Sequence, residues 1–468
     1  MGGNPEGAGC HEARERRAAL KERGRLRRGA AALLLGFLAS ACNIVAAEPA
    51  PPPEATVAEG SALRLVVHRP GDLAAFYRAL DRLQRHEGGP VRILQLGDSH
   101  TAGDVMTGRL RLLFQERFGD AGRGLMPVGL PYYGVRQVEV HVSQAGKWDY
   151  HNSLTHPENG PYGLTGFRAT SRGAGASVTL EAMDPAGFDR VEVEALDHLN
   201  GGLLDIEVDG IRQKRVLTSG SPRLVRISID VPAHSHQLRL IAADRRSVEL
   251  LSWSVERRAA GVVFDSLGVS SATIGLAAHW TPEFVIDELR HLNPSLIVLA
   301  YGTNEGFEAG FDPIKYTQTV ADTLALLRRG APHASILVIG PPDAERLDPS
   351  CRRGSGAEAL CLADADSDHA SACRWETPEP LGVVRNIERR QAAAAGAVFW
   401  DWSLIMGGAC AMHRWVKADP PLARADHVHM TLAGYDRTAD ALFSDLMAAY
   451  QTQREAETNH RLARRPRP

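Results

Sequence analysis

The 468-residue sequence lacks a strong net charge, a long apolar run and a fixed glycine or proline period. Its 53 Lys and Arg residues are nearly balanced by 56 Asp and Glu residues, so we expect no nucleic-acid partner, because no overall positive field attracts phosphates. No apolar run reaches the roughly 20 residues that cross a bilayer, so we expect no transmembrane span in the mature protein. The 45 glycines and 27 prolines follow no period, which excludes a low-complexity structural protein.

The longest apolar run, residues 29–41, follows an arginine-rich block and leads into small residues. This layout is typical of a secretory signal, and we expect residues 1–47 to be a signal peptide or a lipoprotein signal. Cleavage before Cys42 would place a lipid anchor on that residue, whereas cleavage after residues 45–47 would release a free protein. A buried helix is the remaining alternative. The expected location is periplasmic or anchored to the outer membrane of a bacterium.

Cysteine pairs with the short Cys-x-x-Cys spacing of many zinc sites are also absent. Beyond residue 47 the cysteines are Cys351, Cys361, Cys373 and Cys410. An even number in an exported chain favours disulfides, and unpaired small core residues are the alternative. The sequence leaves the pairing open. We expect neither a metal ion nor a cofactor.

Strand-like and helix-like patterns alternate in two parts of the chain, residues 61–124 and 257–450. Short apolar runs such as VRILQL, SLIVLAY and SILVIG are separated by amphipathic helical patterns. The alternation is typical of an α/β fold with a parallel sheet between helices, and such sheets bind ligands at the carboxyl ends of their strands. We therefore expect one α/β domain that is discontinuous in sequence.

The segment between these two parts, residues 125–256, has a different texture. Its runs VEVEAL, LLDIEVDG and RLVRISIDV alternate with period two between turn residues, which predicts an inserted all-β sandwich. Its aromatic residues are candidates for stacking on sugars or for core packing: Trp148, Tyr150, Tyr162 and Trp253. We expect residues 48–60 to be a proline-rich linker and residues 451–468 to be a disordered tail.

Chemically active side chains follow the predicted strands or precede the last helix. Ser99 lies directly after VRILQL and Asn304 directly after SLIVLAY. Asp426 precedes His429 by one turn, so its carboxylate can hold one imidazole nitrogen while the other acts on a hydroxyl. The alternatives are an ordinary Gly-Asp-Ser turn, an Asx-turn, a helix cap with surface histidines, and a metal site formed by His427 and His429.

Taken together, these segments resemble the SGNH (GDSL-type) hydrolase superfamily. The matching blocks are LGDSHTAGD (96–104), GTNE (302–305) and DHVH (426–429). The GDSH variant, the β-rich insertion, IGPPD and FWDWSLIMGG are similar to bacterial peptidoglycan O-acetylesterases, which carry a carbohydrate-binding-module-like domain between the first two blocks. The resemblance covers residues 73–450 and implies a flavodoxin-like three-layer α/β fold with an inserted all-β sandwich.

The resemblance also implies the roles of the site residues. Ser99 would be the nucleophile, His429 its base, and Asp426 the group that orients the imidazole. The oxyanion hole would consist of the Ser99 and Ser271 N–H groups and the Asn304 amide. The family's second block usually has glycine where this chain has Ser271, and serine retains the required N–H group.

The implied function is a serine esterase that removes O-acetyl groups from a cell-wall or other polysaccharide, with peptidoglycan as the first candidate. An O-acetyltransferase with the same triad is one alternative, because sequence does not reveal water access to the acyl-enzyme. A general small-ester or lipid esterase is another. A protein that only binds glycans is the third, although it would not need the triad residues that are present.

Overall fold

The structure is a computed structural model. It describes residues 65–66, 72–132, 135–349, 351, 360–361, 373–408 and 410–463. The predicted signal (1–47) and linker (48–60) lie outside the described residues. Within the described ranges, no helix combines the length and the apolar character that a bilayer span requires.

The described chain forms strands and helices in alternation, interrupted by a long all-β stretch. The first ten strands are β1 (Leu65–Val66), β2 (Val91–Gly97), β3 (Gly122–Met126), β4 (Val140–Ala145), β5 (Trp148–Asn152), β6 (Phe167–Ser171), β7 (Ser177–Ala182), β8 (Phe188–Asp197), β9 (Leu203–Val208) and β10 (Ile211–Leu217). The others are β11 (Arg223–Ser235), β12 (Gln237–Ala242), β13 (Glu249–Glu256), β14 (Val262–Gly268), β15 (Leu296–Ala300), β16 (Ser335–Gly340), β17 (Arg346–Leu347), β18 (Leu360–Cys361), β19 (Arg374–Glu376) and β20 (Val398–Asp401). The α-helices are α1 (Ala74–Gln84), α2 (Ser99–Ala102), α3 (Met106–Phe118), α4 (Pro282–Leu292), α5 (Thr303–Gly306), α6 (Pro313–Gly330), α7 (Glu379–Ala394), α8 (Trp402–Met406), α9 (Ala411–Lys417) and α10 (Leu432–Ala463).

The central sheet has the strand order β1-β20-β16-β15-β2-β14. All neighbours pair in parallel except the edge strand β1, which is antiparallel to β20. Without β1, the chain order across the sheet is 2-1-3-4-5, the flavodoxin-like order. One apolar core contains residues of α1, α3 and α10, and a second contains residues of α4, α6 and α7. Helices therefore cover both faces, and the predicted three-layer α/β fold is confirmed.

The stretch from β3 to β13 forms two antiparallel sheets, with the orders β10-β9-β12-β7-β4 and β11-β8-β13-β6-β5, and β3 pairs with β13. One apolar core joins them, because it contains Leu180 and Leu240 from the first sheet and Val193 and Trp253 from the second. The predicted all-β sandwich is thus present. Its first strand begins at Gly122 rather than at residue 125.

Most of the aromatic side chains considered for sugar stacking are buried. Tyr162 and Trp253 have 0% of their surface exposed and Trp148 has 9%. A buried ring offers no face to a sugar, so these three residues pack in cores. Tyr150 is half-buried, and its hydroxyl donates to Gln144 Oε1 at 2.8 Å.

The chain after residue 450 differs from the expected disordered tail, because α10 continues to Ala463. Its extension is held by the first helix: the Tyr450 hydroxyl donates to Asp81 Oδ1 at 2.6 Å, and Arg454 Nε lies 3.2 Å from the same atom. These polar contacts stabilise the helix beyond residue 450. The sequence has no apolar periodicity there, so the helix could not be predicted from it. Residues 464–468 lie outside the described part.

The loop between β16 and α7 is tied by two disulfides, Cys351–Cys373 and Cys361–Cys410. It also contains a small sheet in the order β17-β19-β18. The second disulfide joins this small sheet to the residue that precedes α9. The loop is therefore linked covalently to the segment just before the DHVH block.

Candidate active site

Ser99 is the first residue of α2, at the carboxyl end of β2, an inner strand of the central sheet. The turn before it depends on Gly97, because a Cβ there would lie 2.2 Å from Thr101 Oγ1 and 2.6 Å from the Ala300 carbonyl oxygen. Asp98 caps the short helix by accepting the His100 N–H at 2.9 Å. The tight turn directs the serine hydroxyl out of the sheet, and Ser99 Oγ lies 3.0 Å from His429 Nε2.

The other imidazole nitrogen of His429 contacts a carboxylate. His429 Nδ1 lies 2.9 Å from Asp426 Oδ2, and Asp426 Oδ1 accepts the N–H groups of Val428 and His429, each at 2.9 Å. Partial burial raises the pKa of Asp426, but these hydrogen bonds outweigh burial and hold the pKa well below its usual range. An ionised Asp426 requires the proton on Nδ1, which leaves Nε2 as the base that faces Ser99.

The expected oxyanion donors lie on the two neighbouring strand ends. Ser271 has a left-handed φ of 62°, the conformation that glycine adopts without strain. Asn304 donates one amide hydrogen to the Ala272 carbonyl at 2.8 Å, which fixes the side chain and leaves its second N–H group available. Among the described residues, the backbone N–H groups of Ser99 and Ser271 have no acceptor. The cavity beside Ser99 is lined by Ser270, the residue before Ser271, and the oxyanion role of Ser271 and Asn304 stays a prediction.

Comparisons with known proteins agree with this geometry. No protein-family model matches the chain. A solved structure of a peptidoglycan O-acetylesterase superposes with a TM-score of 0.68 at 27% identity, covering 83% of this chain and 99% of that one. The Mycobacterium tuberculosis protein named GDSL lipase is 32% identical over 134 residues, which is 28% of this chain and 41% of the relative's length. In fold, and in the contacts among Ser99, His429 and Asp426, the chain is therefore similar to carboxylic ester hydrolases of the SGNH/GDSL type.

Glu305 is the last residue of the GTNE block, and the sequence alone predicts no role for it. Its Oε1 accepts the Ile274 N–H at 2.7 Å and its Oε2 accepts the Gly302 N–H at 3.0 Å. Burial raises the pKa of Glu305 to about 7. The Glu305 side chain therefore joins the segment that contains Ser271 to the segment that contains Asn304. In the sequence, only the position of Glu305 within the GTNE block indicated that this residue could matter.

His427 and His429, considered above as a joint metal site, have different partners. His429 faces Ser99, whereas His427 Nδ1 lies 2.7 Å from Glu345 Oε2. The His427 ring stacks on Trp375, with centroids 3.5 Å apart and an interplanar angle of 5°. No local pattern in the sequence indicates the contact between Glu345 and His427, because the two residues are 82 positions apart.

Two groups of potential metal ligands lie in this region, and both contain Glu345; in the second group, Cys361 and Cys410 are joined by a disulfide. Donor atoms of Glu345, His413 and His427 lie within 4.8 Å of one another. The Glu345 carboxylate already accepts the His413 backbone N–H at 3.3 Å, in addition to its contact with the His427 ring. These hydrogen bonds give the cluster a structural explanation: it holds the DHVH loop against α9.

A cavity of about 270 Å³ opens beside Ser99 and His429. Its remaining lining residues come from α2 and the turn after it, the segment between β3 and β4, the loop after β14, the loop before the DHVH block, and α10: Ala102, Gly103, Val105, Tyr132, Arg136, Ser270, Arg424 and Tyr435. The volume is below the roughly 300–1,000 Å³ that is usual for pockets of drug-sized ligands. It suits a small acyl group better than a long alkyl chain.

Proposed function

We propose that this protein is a serine esterase that removes O-acetyl groups from a polysaccharide, and that peptidoglycan is the first substrate to test. The observation that carries the proposal is the continuous contact from Ser99 Oγ through His429 to Asp426, with distances of 3.0 and 2.9 Å. The similar structure of a peptidoglycan O-acetylesterase, which this chain covers almost completely, supports an acetylated glycan as the substrate.

The reaction has two half-reactions. His429 Nε2 takes the proton of Ser99 as Oγ attacks the acetyl carbonyl carbon, and the Ser99 N–H, the Ser271 N–H and the Asn304 amide stabilise the oxyanion. The bond to the sugar oxygen then breaks, and this oxygen leaves with the proton held by His429. Water attacks the acetyl-serine with His429 again as base, which releases acetate and restores Ser99.

The small cavity favours this reaction over lipid hydrolysis. A long acyl chain would need an extended apolar surface, whereas the described lining includes two arginines, two tyrosines and a serine besides the catalytic groups. We further propose that the enzyme acts outside the cytoplasm. The two disulfides support this location, because disulfides persist in oxidising compartments.

The decisive experiment compares Ser99→Ala with the wild type on p-nitrophenyl acetate. We expect kcat to fall by at least about 1,000-fold, because the nucleophile is removed. Ser143→Ala is the matched control, since Ser143 is exposed on β4. Near-normal turnover by Ser99→Ala would reject the proposal.

Acetate release then identifies the polymer. O-acetylated peptidoglycan, acetylated xylan and acetylated alginate are each incubated with wild type and Ser99→Ala, and free acetate is measured. Release that depends on Ser99 is the expected result, and the polymer that releases acetate fastest is identified as the substrate. Acetyl transfer to added glycan without free acetate would instead identify a transferase.

A further inference from the structure

Two arginines flank the cavity beside the nucleophile. Arg136 belongs to the segment between β3 and β4, at the entrance to the sandwich, and Arg424 lies in the loop just before Asp426. Both side chains are exposed. In the part of the chain that the structure describes, neither forms a salt bridge. Two uncompensated positive charges therefore approach the reaction centre from two different parts of the fold.

No acidic side chain lines this cavity among the described residues. Two carboxylates that lie close in sequence to lining residues, Asp426 and Asp104, are already engaged. Asp426 is held by His429, and the buried Asp104 is paired with Arg111 and Arg123 at 2.9 and 2.7 Å. The positive charge at the mouth of the cavity is thus left for a ligand rather than neutralised by the protein.

Arg424 is fixed relative to the catalytic imidazole. Its backbone N–H donates to the His429 carbonyl at 2.8 Å, and its Nε donates to the Met430 carbonyl at 3.2 Å. Holding Nε in this way leaves the two terminal nitrogens of the guanidinium for another acceptor. A guanidinium with a fixed orientation binds a carboxylate with little loss of side-chain freedom, and its planar fork fits both carboxylate oxygens.

We propose that Arg136 and Arg424 form a subsite for a carboxylate of the sugar whose acetyl ester is hydrolysed at Ser99. The substrate class is then an acetyl ester of an acidic glycan, and a neutral glycan ester is a poorer substrate. This inference rests on the proposed esterase function. It also gives the inserted segment a direct part in substrate choice, because Arg136 belongs to the sequence inserted between the first two blocks of the α/β domain.

The test compares two acetylated sugars that differ only in charge. One is a methyl glucuronoside acetylated on its ring hydroxyls, with a free carboxylate, and the other is the same compound with that carboxylate methylated. We expect wild-type kcat/KM to be about tenfold higher for the free acid, a typical effect of a charge-assisted hydrogen bond at an exposed site. The preference should decrease as sodium chloride is raised, because salt screens exposed charges.

The preference is measured as kcat/KM for the acid divided by kcat/KM for its methyl ester. We expect this ratio to fall towards one in Arg136→Gln and also in Arg424→Gln. Glutamine removes the charge and retains an amide donor, which at position 424 can replace the contact to the Met430 carbonyl. Arg329→Gln is the matched control, because Arg329 is exposed in the last turn of α6, just before β16 begins, and therefore lies towards the end of the strands opposite to Ser99. The control should retain the full preference.

The outcomes separate this inference from the function on which it rests. If the wild type hydrolyses the acid and its methyl ester equally well, the esterase proposal stands and the subsite is refuted. A preference that persists in both glutamine variants also refutes the subsite. If the wild type hydrolyses neither sugar ester nor p-nitrophenyl acetate, both proposals fall.

Discussion

Replacement of Glu345 tests how the loop that carries Asp426 and His429 is held in place. Glu345 follows β16, and only 1% of its surface is exposed. Its carboxylate accepts from the His427 ring at 2.7 Å and from the His413 N–H at 3.3 Å. Its own N–H donates to the His427 carbonyl at 2.9 Å, a contact that any substitution except proline retains. The side-chain contribution can therefore be separated from that of the backbone.

The expected loss follows from the burial of the partners. His427 has 3% of its side chain exposed, so Glu345→Ala leaves a ring nitrogen without its acceptor in a dry site. Breaking a buried pair from one side costs about 3–5 kcal/mol if the pair is charged and about 1–3 kcal/mol if it is neutral. We expect the free energy of unfolding to fall by about 3 kcal/mol. Glu345→Gln retains an acceptor oxygen and should cost about 1 kcal/mol.

Catalysis should suffer as well, because His427 lies in the sequence between Asp426 and His429, whose contact prepares the imidazole to act on Ser99. His427 has a left-handed φ of 56°, and this conformation needs support from its surroundings. A displacement of about 1 Å in a catalytic group can cost about 100-fold in rate. We therefore expect kcat on p-nitrophenyl acetate to fall between about 10- and 100-fold in Glu345→Ala, with a smaller change in KM and partial recovery in Glu345→Gln.

Urea unfolding and steady-state kinetics on the same preparations provide the measurement. Glu455→Ala, at an exposed position of α10, is the matched control and should match the wild type in both. Wild-type stability and kcat in Glu345→Ala would refute the reasoning. Equal losses in the alanine and glutamine variants would show that the acceptor oxygen is not what holds the loop.

Two further predictions concern Ser271 and Asp426. Ser271→Gly should raise the free energy of unfolding by up to about 1 kcal/mol, because relief of about 1–2 kcal/mol of left-handed strain exceeds the added entropy of the unfolded chain. Ser270 does not have a positive φ, so the control Ser270→Gly should lower the free energy of unfolding. A loss of stability in Ser271→Gly would contradict the argument. Asp426→Asn should lower kcat by about 100-fold or more. Because the pKa of Asp426 is depressed in the folded protein, its stabilising effect is complete above its unfolded pKa of about 4 and is lost as pH falls through the folded value. Urea unfolding should therefore show a wild-type advantage over Asp426→Asn that is constant near neutral pH and shrinks in acid, and an advantage that grows in acid would refute the assignment.

The sequence predicted the elements whose signals are local. The buried strand VRILQL and the turn residues after it located Ser99, and the one-turn spacing of Asp426 and His429 indicated their contact. The Glu345–His427 pair joins positions 82 residues apart, and no local pattern encodes such a contact. The sequence left sugar stacking and core packing open for the aromatic residues of the insertion, and the structure shows core packing for Trp148, Tyr162 and Trp253; burial could not be predicted because it depends on which strands face each other.

The charges around His429 favour proton transfer from Ser99. His100, the residue after the nucleophile, lies with its ring centroid 5.3 Å from that of His429. Burial, with a contribution from His429, lowers the pKa of His100 to about 3, so this ring stays neutral, and its Nδ1 lies 2.9 Å from the Tyr435 hydroxyl. Asp426 remains ionised far below neutral pH for the reasons given above. The His429 imidazolium that forms when Ser99 attacks therefore faces the negative charge of Asp426 and meets no positive charge from His100. The Asp426 charge stabilises the imidazolium in the transition state.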